Sequence, residues 1–123
     1  NHTSRHAELQ GVSERILETA KALSVPILLG ARVDRNPLRR GEVTLEDLKE
    51  AGDIGQDAHL VLGLYAEAVE EAMEKGTNLT ESALDLKVRV IKNRNGHVNQ
   101  EAILRFSRPL MKISDPGEIL SQV

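Results

Sequence analysis

Leu84-Asp85-Leu86-Lys87-Val88-Arg89-Val90-Ile91-Lys92-Asn93-Arg94-Asn95-Gly96 alternates apolar and polar side chains at a period of two before it meets an Asn-Gly pair. That period sets Leu84, Leu86, Val88 and Val90 on one face of a strand and Asp85, Lys87 and Arg89 on the other. Asn95-Gly96 favours a type I′ turn, whose two central residues need positive φ, and Val98 to Phe106 supplies the returning strand. The reading is an antiparallel hairpin with one solvated face. Met111-Lys112-Ile113 adds a further short strand before Pro116.

Upstream of the hairpin the pattern changes. From Ser4 to Leu23 the apolar residues Leu9, Val12, Ile16, Ala20 and Leu23 recur at spacings of three and four, which predicts one amphipathic helix. Ser24-Val25-Pro26 ends it, and Ile27-Leu28-Leu29-Gly30-Ala31 follows as a short continuous apolar run, the form of a strand buried on both faces of a parallel sheet. Arg32 to Gly41 is polar and rich in turn formers, hence a surface loop. Thr44-Leu45-Glu46-Asp47 has the form of a helix start, and the helix it opens is expected to be short, interrupted at Gly52 and Gly55. His59-Leu60-Val61-Leu62-Gly63-Leu64 reads as a second parallel strand. Ala66 to Lys75 reads as a helix, acidic on one side and closed by Gly76. The fold class is therefore α/β: parallel strands with flanking helices, followed by an antiparallel hairpin.

Composition narrows the possible functions. With 123 residues there is room for one modest core, and at 2% aromatic content that core rests on Leu, Ile, Val and Ala. The absence of cysteine removes disulfides, thiolate metal sites and a catalytic thiol, and suits a cytoplasmic location. A net charge of −3 excludes the uniform positive field of a histone-like DNA binder, so nucleic-acid contact has to be local. Two basic clusters meet that condition: Arg32, Arg35, Arg39, Arg40 and Lys49, and then Lys87, Arg89, Lys92 and Arg94. No apolar run approaches the roughly 20 residues that span a bilayer, Asn1 to His6 is no signal peptide, and no membrane partner is expected. Lacking an initiator Met, the sequence reads as a fragment.

No Gly-x-x-x-x-Gly-Lys-Ser/Thr occurs, so the chain has no loop of its own to cradle the β- and γ-phosphates of a nucleotide. Alone it is expected neither to bind nor to hydrolyse ATP. Among the histidines only His2 and His6 share a helical i, i+4 spacing, and no metal site is expected. Nor is there a glycine-flanked serine or another nucleophile paired with a histidine for covalent catalysis.

Three segments carry a more specific signal together. Leu48-Lys49-Glu50-Ala51-Gly52-Asp53-Ile54-Gly55-Gln56-Asp57-Ala58-His59-Leu60-Val61 resembles the stretch Leu-Arg-Glu-Ser-Gly-x-Ile-Glu-Gln-Asp-Ala-Asp-x-Val of DnaB-type replicative DNA helicases. Val25-Pro26-Ile27-Leu28-Leu29-Gly30-Ala31-Arg32-Val33-Asp34-Arg35 is similar to that family's Val-Pro-Val, hydrophobics and Leu-Ser-Gln-Leu-Asn-Arg. Lys92-Asn93-Arg94-Asn95-Gly96 matches its Lys-x-Arg-Asn-Gly hairpin. Each motif alone is weak, and the three in register over about residues 4–107 are strong.

The resemblance implies a partial RecA-like core. Residues 1–115 would be the C-terminal portion of a motor domain whose P-loop lies elsewhere, with 116–123 as a tail. It implies a hexameric ring of identical subunits, an ATP-dependent 5′-to-3′ helicase using ATP and Mg²⁺ in the intact enzyme, single-stranded DNA as ligand, and a primase or loader as partner. By position, Lys92 and Arg94 are the trans-acting finger directed at the neighbouring subunit's γ-phosphate, a task suited to a fixed guanidinium. Lys49, Glu50 and Gly52 inherit the DNA-gripping loop, with Arg35, Arg39 and Arg40 as further phosphate contacts.

Two departures from the family bear on function. Ala31-Arg32 stands where the family has its phosphate-sensing Ser-Gln, and arginine cannot accept a hydrogen bond. Gly55 replaces a glutamate and His59 an acidic residue. Two alternatives remain open: a truncated or diverged RecA-like module that binds DNA or protein without turnover, and a RecA-like ATPase of the recombinase or circadian-clock type.

Overall fold

The computed structural model describes residues 2–32 and 43–116, the side chains of 2–6 and 49–53 excepted. Helix α1 runs His2–Leu23, as its periodicity requires. Its stripe is narrower than the pattern implies: Leu9, Ile16 and Ala20 are partly buried, whereas Val12 and Leu23 stay exposed. The helix ends at Ser24, which takes φ 52°, while the Val25 N–H reaches back to the Ala20 carbonyl at 3.2 Å.

The following run differs from expectation. Ile27 to Ala31 forms no strand, and Leu28 is 97% exposed. A strand exists only where a neighbour offers its N–H and C=O groups, and among the described residues no edge lies beside this segment. A 3-10 helix, Leu45–Ala51, comes next, broken at Leu48 (φ −94°, ψ 26°). Its start follows the capping pattern: the Asp47 carboxylate accepts the Thr44 N–H at 2.7 Å, and the Asp47 N–H donates to the Thr44 carbonyl at 3.0 Å. Gly52 and Gly55 do not interrupt the helical path. They lie within α2, Gly52–Asp57.

Among the described residues four strands make one sheet in the order β1-β2-β3-β4: Leu60–Tyr65, Ala83–Asn93, Glu101–Ser107 and Lys112–Ser114. Every pairing is antiparallel. Leu60–Tyr65, expected to be parallel, therefore runs against β2, with a bulge between Val61 and Leu62. An apolar run does not choose a strand direction, and here it does not secure burial either, since Leu60, Leu62 and Leu64 stay exposed. Helix α3, Glu67–Lys75, links β1 to β2 and closes at Gly76 (φ 64°), with the Thr77 N–H on the Ala72 carbonyl at 2.9 Å.

The hairpin is also wider than its sequence implies. Neither Asn95 nor Gly96 has positive φ; the left-handed residue is Asn99 (φ 67°). Ile91 to Asn93 lie beyond the last β2–β3 ladder pair, Arg89 with Glu101, while Lys92 and Asn93 stand opposite Val61 and Leu60 of β1. A tight turn would need β3 to follow β2 to its end, and β2 ends against another strand. The return strand accordingly starts at Glu101 rather than Val98.

The buried apolar side chains among the described residues are Val43, Leu48 and Leu84. Val43 reaches the sheet because Gly63 has no side chain: a Cβ there would stand 3.0 Å from that of Val43 and 3.6 Å from Cγ2 of Ile91. This contact brings the chain just before the 3-10 helix against β1. Among the described residues no helix is long and apolar enough to cross a membrane.

Candidate functional site

The motif segments 48–61 and 91–96, separate in sequence, meet at the head of the sheet. β2 extends past β3 and carries Lys92 opposite Val61, next to the bulge in β1. From there the Lys92 ammonium donates to the carbonyl oxygens of Gly55 at 2.9 Å and Gln56 at 2.5 Å. Both carbonyls belong to the last turn of α2, where a helix runs out of N–H partners and carries partial negative charge. One turn back, the Ala58 N–H donates to the Ile54 carbonyl at 3.0 Å.

Two further bonds fix the same junction. The Arg94 N–H donates to the His59 carbonyl at 3.0 Å, tying the hairpin backbone to the start of β1. On the other side the buried Ser13 hydroxyl of α1 donates to the Asp57 carboxylate at 2.8 Å. The α2–β1 junction is thus held by α1, by the hairpin main chain and by the Lys92 side chain.

Arg94 differs from Lys92. It is exposed, and among the described residues its guanidinium has no hydrogen-bond or ion-pair partner. The loop carrying it is braced from inside by Asn93, whose carboxamide oxygen accepts the Asn95 N–H at 3.3 Å and whose amide nitrogen donates to the His97 carbonyl at 3.4 Å. A Cβ on Gly96 would lie 2.6 Å from that amide nitrogen, so a side chain there would displace the Asn93 carboxamide, and φ is not positive at this glycine. Asn99 accepts a bond from the Arg89 guanidinium at 3.2 Å. Sequence reading passed over Asn93 and Asn99. The available signal was the habit of Asn to bond its own neighbouring backbone in turns.

The other candidates lie apart from this cluster or beyond description. Lys49 and Glu50 sit on the 3-10 helix and Gly52 opens α2, so all three belong to the segment whose far end Lys92 holds. Arg32 is exposed at the end of the unpaired segment. Arg35, Arg39 and Arg40 lie outside the described residues. No group of three or more His, Cys, Asp or Glu able to hold a metal occurs among the described residues.

Residues 1–115 match the protein family described as DnaB-like helicase C terminal domain. A replicative DNA helicase DnaB of Mycoplasma genitalium is 35% identical, the alignment covering 97% of this chain and 24% of that protein. A second, from Leifsonia xyli, is 35% identical over 76% of this chain and 20% of its own length. The chain thus spans about a quarter or less of these relatives. Among solved structures, an ATPase domain superposes with a TM-score of 0.69 at 21% identity, over 89% of this chain and 37% of that one, a likeness of fold.

Proposed function

Because the chain belongs to the DnaB-like helicase C-terminal domain family, we propose that it is the late portion of the RecA-like motor of a ring-shaped, ATP-dependent replicative DNA helicase. In this reading residues 48–57 contact the backbone of single-stranded DNA, and the hairpin tip presents Arg94, with Lys92 beside it, to the nucleotide of an adjoining subunit. The observation that carries it is the pairing of an exposed, unengaged Arg94 with a main chain pinned to His59. A guanidinium on a braced loop loses little freedom when it meets phosphoryl oxygens, and its planar fork matches them.

The chain supplies no P-loop, so its residues do not by themselves form a nucleotide-holding site. Nucleotide with Mg²⁺, held elsewhere in the intact enzyme, would supply the phosphoryl group. This chain's part is to bring positive charge to the oxygens that gain negative charge, and to present Lys49 and the backbone at Gly52 to DNA phosphates. Six such subunits in a ring, a primase or loader as partner, and 5′-to-3′ movement belong to the same proposal.

The test is Arg94→Ala in the full-length protein. DNA-stimulated ATP hydrolysis should fall by about a thousandfold or more, the scale of an arginine finger, with nucleotide affinity nearly unchanged. Unaltered turnover removes the finger assignment. A second reading, a module that binds without turnover, is favoured by Arg32 at the sensing position, since no acceptor is offered there. Absence of a P-loop from the full-length sequence would decide for it.

A further inference from the structure

We infer that Lys92 is a positioning residue for the segment 48–57: seated on the last turn of α2 it holds that segment, and to reach a phosphate it must give up the seat. The inference rests on the proposed DNA role of 48–57 and adds to it the part that links grip to the nucleotide side of the hairpin.

Gly55 and Gln56 present main-chain oxygens at 2.9 and 2.5 Å from the ammonium, and in the last turn of a helix such oxygens are otherwise left to water. A cation there satisfies both and interacts favourably with the negative end of the helix. α2 adds six residues to a helical path already broken at Leu48, too short a stretch to hold itself, because helix formation requires several consecutive turns. Its outside supports therefore matter, and they are unequal in kind. Ser13 to Asp57 and Arg94 N–H to the His59 carbonyl stay inside the chain and have no reason to answer a phosphate. Lys92 is the support that carries a mobile charge, two residues from the exposed Arg94.

Consequently the two cations of the hairpin do different work. Arg94 points out and waits for a partner, while the Lys92 ammonium lies between two oxygens of its own chain. When a phosphate draws Lys92 away, α2 loses its C-terminal support and the segment with Lys49, Glu50 and Gly52 loosens. Nucleotide state at one protomer then alters DNA grip in the protomer that supplies the hairpin.

The experiment uses the full-length protein with Lys92→Met, Lys92→Arg and Arg94→Ala. Amide hydrogen exchange is followed over residues 54–58, and binding of a fluorescent oligothymidylate is measured without nucleotide. For Lys92→Met, exchange at the Ala58 amide should quicken about fivefold and oligothymidylate binding weaken about threefold to tenfold, the scale of losing a charge at a helix end. Lys92→Arg should restore both, since a guanidinium can also donate to two carbonyls. Arg94→Ala should change neither. Where Lys92→Met does not fold, Lys92→Gln removes the charge with a polar end retained, and the same directions are expected.

Unchanged exchange over 54–58 in Lys92→Met overturns the inference and leaves Lys92 acting on the phosphate alone. Faster exchange with unaltered oligothymidylate affinity overturns it differently, by removing 48–57 from the DNA contact. Failure of the finger assignment reads out separately, as unaltered ATP turnover in Arg94→Ala.

Discussion

Ile27-Leu28-Leu29 and Leu60-Val61-Leu62 are near twins in sequence, and the protein treats them oppositely. The second is a strand with every described partner on β2, whereas the first pairs with nothing among the described residues. Both runs satisfy the same apolar criterion. What separates them is the supply of a neighbour: α3 turns the chain back after β1 and delivers β2 within reach, an inexpensive local closure. No comparable edge is delivered to Ile27-Leu28-Leu29. An apolar run thus states a demand for burial that strand pairing alone does not meet, since Leu60 and Leu62 remain 51% and 47% exposed, and topology decides whether a partner arrives.

The sharpest test of the contrast is to remove apolar volume from the paired region. Leu84 is 5% exposed and pairs with Phe106 on β3. Leu84→Ala should destabilise the chain by about 2–3 kcal/mol, through lost transfer energy and the cavity left behind. Chemical denaturation measures this directly. A loss below about 0.5 kcal/mol would mean that the sheet is no better packed than the unpaired segment.

Next in size is the joint between β1 and the chain before the 3-10 helix. Gly63→Ala sets a methyl group 3.0 Å from Cβ of Val43, tighter than nine in ten such contacts. One of the two must shift, at about 1–2 kcal/mol. Combining it with Val43→Ala should cost less than the two single changes added together, because the second removes the bulk the first collides with. Strict additivity would show that Val43 does not lie across β1.

These examples show which parts of the molecule were legible in its residues. Local signals held: the helix of α1, the capping pair Thr44 and Asp47, the Gly76 terminus and the strand from Leu84 all reappear, although along β2 only Leu84 and Asp85 separate into a buried and an exposed side. Signals whose meaning depends on a distant partner did not. The tight turn at Asn95-Gly96 failed because β2 outruns β3 and continues along β1, and Leu60–Tyr65 meets β2 antiparallel, with no parallel partner among the described residues. At the candidate site, the resemblance singled out Lys92 and Arg94, and the structure separates them into an engaged and an exposed cation. Lys92's seat was invisible in sequence because main-chain carbonyls make it, and every residue type has one.

The smallest expected effect lies in the unpaired twin. Leu28 is 97% exposed, so Leu28→Ser removes almost no burial. The stability of this chain should change by less than about 0.5 kcal/mol, the range of an uninvolved surface site. The same substitution in the full-length protein sharpens the comparison. If a strand from outside these residues flanks the segment there, Leu28 becomes a buried side chain and the cost rises to about 2 kcal/mol or more, as for Leu84. A large cost already in this chain would break the contrast, because Ile27-Leu28-Leu29 would then be meeting its demand for burial with a partner that the four-stranded sheet does not supply.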